Sequence, residues 1–209
     1  MQTLFPTSVS DRALRSMFAA RKEVFVDLLK WDLPILEGRY EIDQFDTSDA
    51  EYLIVAASND RHRASARLLP TERPHLLDTV FPHLCTGPIP TGPSTREITR
   101  FCLDRHQRSA ERREARNTLI SALVDYALEQ QIDAYTGVAN LDWFEQVLNF
   151  GWECSALGRP ILGATGWLTA LHIRIDQDTP ARLCARGIYR PVGAPDASPL
   201  RPLHLEFAA

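Results

Sequence analysis

No stretch of this sequence stays apolar for the roughly 18 residues that a membrane-spanning helix needs. It also opens without the basic segment and apolar run of a secretory leader. An excess of positive charge is missing: 23 Lys and Arg against 27 Asp and Glu leave a net charge of −4, which excludes a general nucleic-acid binder. Cysteine is sparse. Cys85, Cys102, Cys154 and Cys184 stand far apart with no C-x-x-C, so the reading is reduced, buried thiols in a cytoplasmic protein, with no disulfides and no metal site. Glycine is scarce, and none occurs from Glu97 to Asp133, which leaves no glycine-rich turn there to cradle a phosphate. No internal repeat or low-complexity tract is present. What remains, 209 residues of which 44% are apolar and 24% charged, suits one soluble globular domain with a full core.

The stretch from Arg21 to Asp46 carries most of the information. From Val9 the apolar residues Ala13, Leu14, Met17, Phe18, Val24, Phe25, Leu28 and Leu29 recur near helical spacing, with Ser8 or Ser10 as a cap. Arg21 and Phe25, four apart, then stand one above the other on one face. Pro34 disfavours helix at Leu33, so the helix is expected to stop near Trp31 or Asp32. Glu41, Asp43 and Asp46 follow beside aromatic side chains. A cation, an aromatic pair and an acidic cluster so close together suggest a site for a small charged ligand.

Downstream, the chain reads as an α/β (α+β) domain: a mixed sheet with helices on it. Tyr52 to Ala57 suits a buried strand, Asn59-Asp60 a turn, and His62 to Leu69 the returning strand of a hairpin, with Arg67 near its end. A short helix limited by Pro82 is expected within 75–84, and a surface connection from Cys85 to Thr95. Arg96 to Asp104 fits a strand on which Glu97, Thr99, Phe101 and Leu103 share one face and Arg100 falls on the other. If Glu97 and Arg100 serve one pocket, a bulge must re-aim one of them; otherwise one of the pair faces the core and is purely structural.

A basic segment, Arg105, Arg108, Arg112, Arg113 and Arg116, leads into an amphipathic helix with Ala115, Leu119, Ala122, Leu123, Tyr126 and Ala127 as its buried stripe. Ala134 to Ala139 is a further strand. Asn140 caps a helix to Phe150, and Gly151 suits the left-handed position after it. Strands at 152–157 and 166–176 and a short helix at 179–185 follow. The domain is placed at 1–190 and an irregular, proline-rich tail at 191–209.

R-x-x-x-F-x-x-x-x-x-W, then E-x-D-x-x-D, a lone arginine and E-x-x-R fall here on Arg21, Phe25, Trp31, Glu41, Asp43, Asp46, Arg67, Glu97 and Arg100. This ordered set, with R-L-L-P-T-x-R-P from Arg67 and the Gly151-Trp152 pair, resembles the acyl-homoserine-lactone synthases of bacterial quorum sensing. The second half of the chain is only loosely similar. The resemblance implies a twisted mixed sheet like that of the acetyl-CoA-dependent N-acyltransferases, with strands 97–104 and 134–139 splayed to admit a pantetheine arm. It also implies S-adenosyl-L-methionine as acceptor substrate, an acyl group on acyl-carrier protein or CoA as donor, and no cofactor. The amine is acylated, the carboxylate closes onto the γ-carbon, and methylthioadenosine leaves.

The residue types suit that chemistry. Trp31 and Phe25 offer π faces to a sulfonium, an interaction of about 0.5–2 kcal/mol. Asp43 and Asp46 suit the amine. A carboxylate must take the ammonium's proton before attack, Glu97 first and Asp46 second. Arg100 suits the substrate carboxylate, and a backbone N–H near Phe101 the oxyanion. Against this, Arg21, Arg67 and Arg100 with the acids could be a structural ion-pair network, Phe25 and Trp31 could be core, and Glu41 reads as a solvated or loop-fixing group. The basic segment either steers an acidic carrier protein or is a solvated face interspersed with Glu111 and Glu114. Alanine at 139, where many relatives selecting 3-oxo chains have threonine, points to an unsubstituted or otherwise unusual acyl group, unless Asn140 supplies a polar contact. Another N-acyltransferase using acyl-CoA and a non-catalytic S-adenosylmethionine-binding module are the alternatives.

Overall fold

The first helix loses its α geometry before Pro34 can end it. In the computed structural model, which describes residues 9–190 and 203–204, α1 (Val9–Arg21) passes directly into a π-helical stretch, Lys22–Leu28, and the turn closes at Lys30 with a φ of 59°. A π turn takes an extra residue, so the apolar stripe changes phase. Leu14, Met17, Phe18, Val24 and Phe25 are buried as the spacing predicts, but Leu28 and Leu29 are turned out to solvent. Ser8, one of the two predicted caps, lies outside the described residues, and Ser10 lies inside the helix.

Next come a two-stranded ribbon, β1 (Ile35–Leu36) with β2 (Tyr40–Glu41), and the predicted hairpin, β3 (Glu51–Ala56) and β4 (His62–Pro70). Asn59-Asp60 makes its turn, with Asp60 at a φ of 61°. The segment 75–84 holds α2 (Leu76–Thr79) and a 3-10 turn, Pro82–Leu84. Then follow β5 (Thr95–Leu103), α3 (Ser109–Glu129), β6 (Ala134–Asn140) and α4 (Leu141–Leu148), which Asn140 caps by accepting the Trp143 N–H. The chain continues through β7 (Glu153–Ala156), β8 (Ile161–Gly163), β9 (Gly166–Arg174) and α5 (Thr179–Ala185). Strand β8 was not expected: its three residues are too few to show a period. In the tail, Leu203–His204 form a strand, β10, on β3; the rest of the tail lies outside the described residues.

Among the described residues the sheet has eight strands in the order β10-β3-β4-β5-β6-β9-β7, with β8 also on β9, and only β5 and β6 run parallel. One face packs on α3, α4 and α5 through Leu53, Ala66, Leu68, Leu119, Leu123, Tyr135, Phe144 and Leu183. The other carries α1 over Tyr52, Ile54 and Leu69, and α2 beside Leu84 and Ala170. Two-sided cover explains the near-continuous burial of β3 and β4. The exposed residues of the basic segment lie around the start of α3. Ala115, Leu119, Ala122, Leu123 and Ala127 are buried as predicted, and Tyr126 is only half-buried, its hydroxyl on Glu51.

Two features of β5 set up the site. Across from it β4 slips, so that Ser65 pairs with Cys102 and Arg67 with Thr99, leaving Ala66 opposite both Arg100 and Phe101. This is a bulge, with Arg100 at a φ of 50°. It corrects the predicted alternation: Phe101 and Leu103 go to the α3 face, while Arg100 joins Glu97 and Thr99. Second, β5 and β6 pair from Thr95–Ala134 only as far as Ile98–Gly137. Beyond that point they part, forming the expected splayed pair. At the vertex the strands are so close that a Cβ on Gly137 would stand 3.0 Å from the Ile98 carbonyl oxygen.

Gly151 ends the α4 turn at a φ of 106°, and a Cβ there would meet the Arg182 carbonyl oxygen at 2.8 Å. Gly151→Ala should therefore lower stability by about 1–3 kcal/mol, through strain and collision together. Urea unfolding followed by circular dichroism checks it, the expected sign being a lower midpoint at unchanged slope.

Candidate active site

Three arginines and three carboxylates, all buried, form one lattice on the α1 face of the sheet. Arg21, from the end of α1, donates through Nε to Glu41 at 2.5 Å and through both Nη atoms to Asp46 at 2.9 and 2.8 Å. Arg67, from β4, forks onto Asp43 at 2.6 and 3.1 Å and donates through Nε to Thr99 Oγ1 at 2.9 Å; its Nη1 is also 2.8 Å from Asp46. Arg100, re-aimed by the bulge, reaches Glu41 at 3.0 Å and Asp43 at 2.6 Å. Tyr52 donates its hydroxyl to Asp46 at 2.8 Å. Charges in the lattice cancel, and nearly every fork position is used. The Nη1 of Arg100 stands outside these bonds.

This geometry sorts the expected roles. Burial alone would raise the Asp46 carboxyl, but Arg21 and Arg67 overturn that and hold it well below the usual carboxylate range. A carboxylate so firmly ionised, with its oxygens on Arg21, Arg67, Tyr52 and the Asp43 N–H, is poorly suited to accept a proton. Geometry thus argues against Asp46 as base. Burial likewise disfavours the charge of Arg21 and Arg67, and the neighbouring acids outweigh it. Glu41, read from sequence as a solvated or loop-fixing acid, is fully buried and bridges Arg21 to Arg100, so it fixes the loop from inside. Tyr52 was missed, since within an apolar strand run nothing distinguishes a tyrosine whose hydroxyl has a charged partner.

Beside the lattice, Phe25 and Trp31 stack with ring centroids 5.0 Å apart and planes 18° apart. The Arg100 guanidinium lies over Phe25 at 5.6 Å. Phe25 is buried by these contacts, whereas Trp31 is only partly covered and keeps surface for a ligand. Both pack on Cys102 of β5.

Glu97 lies two residues before Thr99 on the same face. Its Oε2 accepts the Leu76 N–H of α2 at 2.7 Å, while Oε1, fully buried, has no hydrogen-bond partner among the described residues. Burial pushes its carboxyl up to about 7, against the pull of the Leu76 and Leu77 N–H groups and Arg67, with Asp78 adding to the rise. Glu97 and Asp46 thus occupy one face of the sheet with opposite shifts.

The structure brings Arg21, Phe25, Trp31, Asp43, Asp46, Arg67, Thr99 and Arg100 together, with Glu97 next to them. Phe101 and Ala139 are not in this group. Phe101 rests on Trp143 at 5.0 Å on the α3 face, and Ala139, buried, pairs across the sheet with Thr169. They stand on the two strands beyond the point where β5 and β6 separate. Asn140 is taken up in capping α4. The four cysteines are free, but only Cys102 is buried and Cys184 is exposed. Among the described residues no group of His, Cys, Asp and Glu could hold a metal ion, and no helix is long and apolar enough to cross a membrane.

The sequence profile of the autoinducer synthase family matches residues 7–183. An acyl-homoserine-lactone synthase of Rhizobium radiobacter is 30% identical over 195 residues, covering 90% of this chain and 91% of that protein. Among solved structures, a CoA-dependent acyl-homoserine lactone synthase, BjaI, with SAM and isopentyl-CoA, superposes with a TM-score of 0.75 at 27% identity over 83% of this chain and 80% of that one. An acyl-CoA N-acyltransferase from Pseudomonas aeruginosa has a TM-score of 0.52 at 16% identity, over 79% of this chain and 92% of that one, and shares the fold. The chain belongs to the autoinducer synthase family.

Glu97 should make stability fall as pH rises. Its folded-state value, about 7, lies above the ordinary 4.5, so the folded state binds the extra proton between those values and stability is lost across that window. Glu97→Gln should flatten the slope and gain about 1–3 kcal/mol at pH 8. Urea midpoints at pH 5 and pH 8 for both proteins decide it; parallel curves would mean that Glu97 ionises normally.

Proposed function

We propose that this protein makes an N-acyl-L-homoserine lactone from S-adenosyl-L-methionine and an acyl thioester. The observation that carries the reading is the coincidence, on one sheet face beside the parting of β5 and β6, of a neutral charge lattice, a partly open tryptophan and a lone buried carboxylate. Trp31 takes the sulfonium-bearing part of the substrate, and the Nη1 of Arg100 its carboxylate. Arg21 and Arg67, whose forks are filled by acids, hold the wall of the site without touching the ligand. Asp43 and Asp46 act through the same lattice.

Glu97 takes a proton from the substrate ammonium, directly or through one water. The free amine then attacks the thioester carbon, the amide C–N bond forms, and the thiol leaves. In the second step a carboxylate oxygen attacks the γ-carbon, the C–S bond breaks, and methylthioadenosine departs as a neutral thioether while the lactone closes. The pantetheine arm of the donor enters where β5 and β6 separate, past Phe101, and a backbone N–H near Phe101 suits the oxyanion.

The donor is an acyl-carrier protein or acyl-CoA. The turn after β5 has no glycine, so the chain lacks the usual N–H cradle for a CoA pyrophosphate, and Arg105, Arg108, Arg112 and Arg113 are exposed around the start of α3 where an acidic carrier would meet them. A cytoplasmic location accords with both substrates. An ordinary N-acyltransferase would lack any use for Trp31 and the Arg100 arm.

Incubation with S-adenosylmethionine and a panel of acyl thioesters should release methylthioadenosine and thiol in equal amounts. Glu97→Gln should lower kcat by about 10²–10⁴-fold at pH 7. Release of thiol without methylthioadenosine would point instead to an ordinary acyltransferase. With alanine at 139 and Asn140 committed to the helix cap, mass spectrometry of the product should show chains without a 3-oxo group; a mainly 3-oxo product would refute that part.

A further inference from the structure

The proposed base does not stand alone. In the sheet register Glu97 of β5 lies beside Thr136 of β6, and Thr136 lies opposite His172 of β9, which in turn faces Ser155 of β7. Residues paired in register point to the same face, so these side chains form one row across four strands. The row runs from the core to solvent: Glu97 and Thr136 are fully buried, His172 is partly exposed and Ser155 is exposed. Two of its buried polar atoms, Glu97 Oε1 and Thr136 Oγ1, have no hydrogen-bond partner among the described residues. A hydroxyl and a carboxylate oxygen left so would keep their full desolvation penalty, and native proteins satisfy such buried groups with an ordered water.

We infer that Thr136 and His172 are positioning residues for Glu97, joined to it by a buried water that carries the base's proton out along the row. This rests on the reading of Glu97 as base. Ionised Glu97 receives a hydrogen bond from the water held by Thr136. Once it has taken the substrate's proton, its carboxyl O–H passes that proton to the water, the water or the Thr136 hydroxyl passes one on, and the neutral imidazole of His172 accepts it. Glu97 returns to the carboxylate, and the imidazolium releases the proton to solvent. Burial lowers the pKa of His172, which keeps it neutral and ready to accept. Arg67 of β4 and Asp78 of α2 act on Glu97, and the Nδ1 of His75, just before α2, stands 3.5 Å from Asp78. On the other side Arg174 of β9 pairs with Glu153 of β7, two positions along their strands from His172 and Ser155, and the 3-10 turn that carries His83 packs against β9.

The test is the pH dependence of methylthioadenosine release by Thr136→Val, Thr136→Ser, His172→Gln and Glu97→Gln. Thr136→Val removes the hydroxyl at nearly equal volume and withdraws support from the ionised base. Its kcat should drop about tenfold at pH 7 with little change in KM, and the acid limb should move up by about one pH unit. Thr136→Ser should restore both. His172→Gln should lower kcat without moving the acid limb, and added imidazole should recover the rate. A folded Thr136→Val with the wild-type rate and limb overturns the inference. Should that variant not fold, a His172→Gln protein with undiminished kcat overturns it instead. Either result with Glu97→Gln still inactive leaves the base reading standing; a fully active Glu97→Gln sinks the base reading itself.

Discussion

A completed set of buried ion pairs is the constraint from which the rest follows. Removing a carboxylate or guanidinium from water costs several kcal/mol, and only well-placed opposite charges offset it. Here Arg21 from a helix end, Glu41 from the β1–β2 ribbon, Asp43 and Asp46 from a loop, Arg67 from β4 and Arg100 from β5 each have at least two partners. No pair could be kept if its neighbours went elsewhere, because an uncompensated buried charge would remain. The lattice therefore acts as a register pin: it docks the whole segment from α1 to Asp46 against the sheet in one position. Its contribution is to geometry more than to net stability, since an apolar substitute could be equally stable.

That requirement explains the local strain in β5. Regular alternation would send Arg100 into the apolar cluster on the α3 face. The bulge turns it towards Glu41 and Asp43, at the cost of a left-handed backbone conformation of about 1–2 kcal/mol for a non-glycine residue. The same extra residue carries Phe101 to the opposite face and lies two positions beyond the last β5–β6 pair at Ile98. One irregularity thus completes the charge lattice, aims the arginine and accompanies the opening of the sheet.

Much of this was legible in the sequence, and what was hidden has definite causes. Turn residues at 59–60, the alternation of β4, the capping asparagine at 140 and the need for a bulge between Glu97 and Arg100 are local signals, and the strands and helices followed them. The order of acids and arginines marked the site. The phase change after Arg21 was invisible, because apolar spacing was read with an α-helical period and nothing in K-E-V-F-V-D-L announces a wider turn. Glu41 could not be told from a solvated acid, because a lone acid in a polar loop gives no hint that two arginines will enclose it. Thr136 and His172 could not be connected with Glu97, since their adjacency exists only in the sheet register.

Glu97 and Asp46 show how one face of a sheet can hold two buried carboxylates with opposite pKa shifts. Both are buried, so desolvation pushes both towards the neutral form. Asp46 is reversed by two guanidiniums; Glu97 has two backbone N–H groups and a more distant Arg67, which do not suffice. The lattice matters here a second time, because it is neutral as a whole and lends Glu97 no lasting positive field. On the proposed function, the positive field arrives with the substrate. S-adenosylmethionine brings a sulfonium and an ammonium against one carboxylate, and a net cation beside Glu97 favours its ionised form. A base that is half-protonated in the empty site would thus become competent on binding the molecule it must deprotonate. Had Asp46 and Glu97 exchanged surroundings, the site would hold a permanent anion too weakly basic to take the proton.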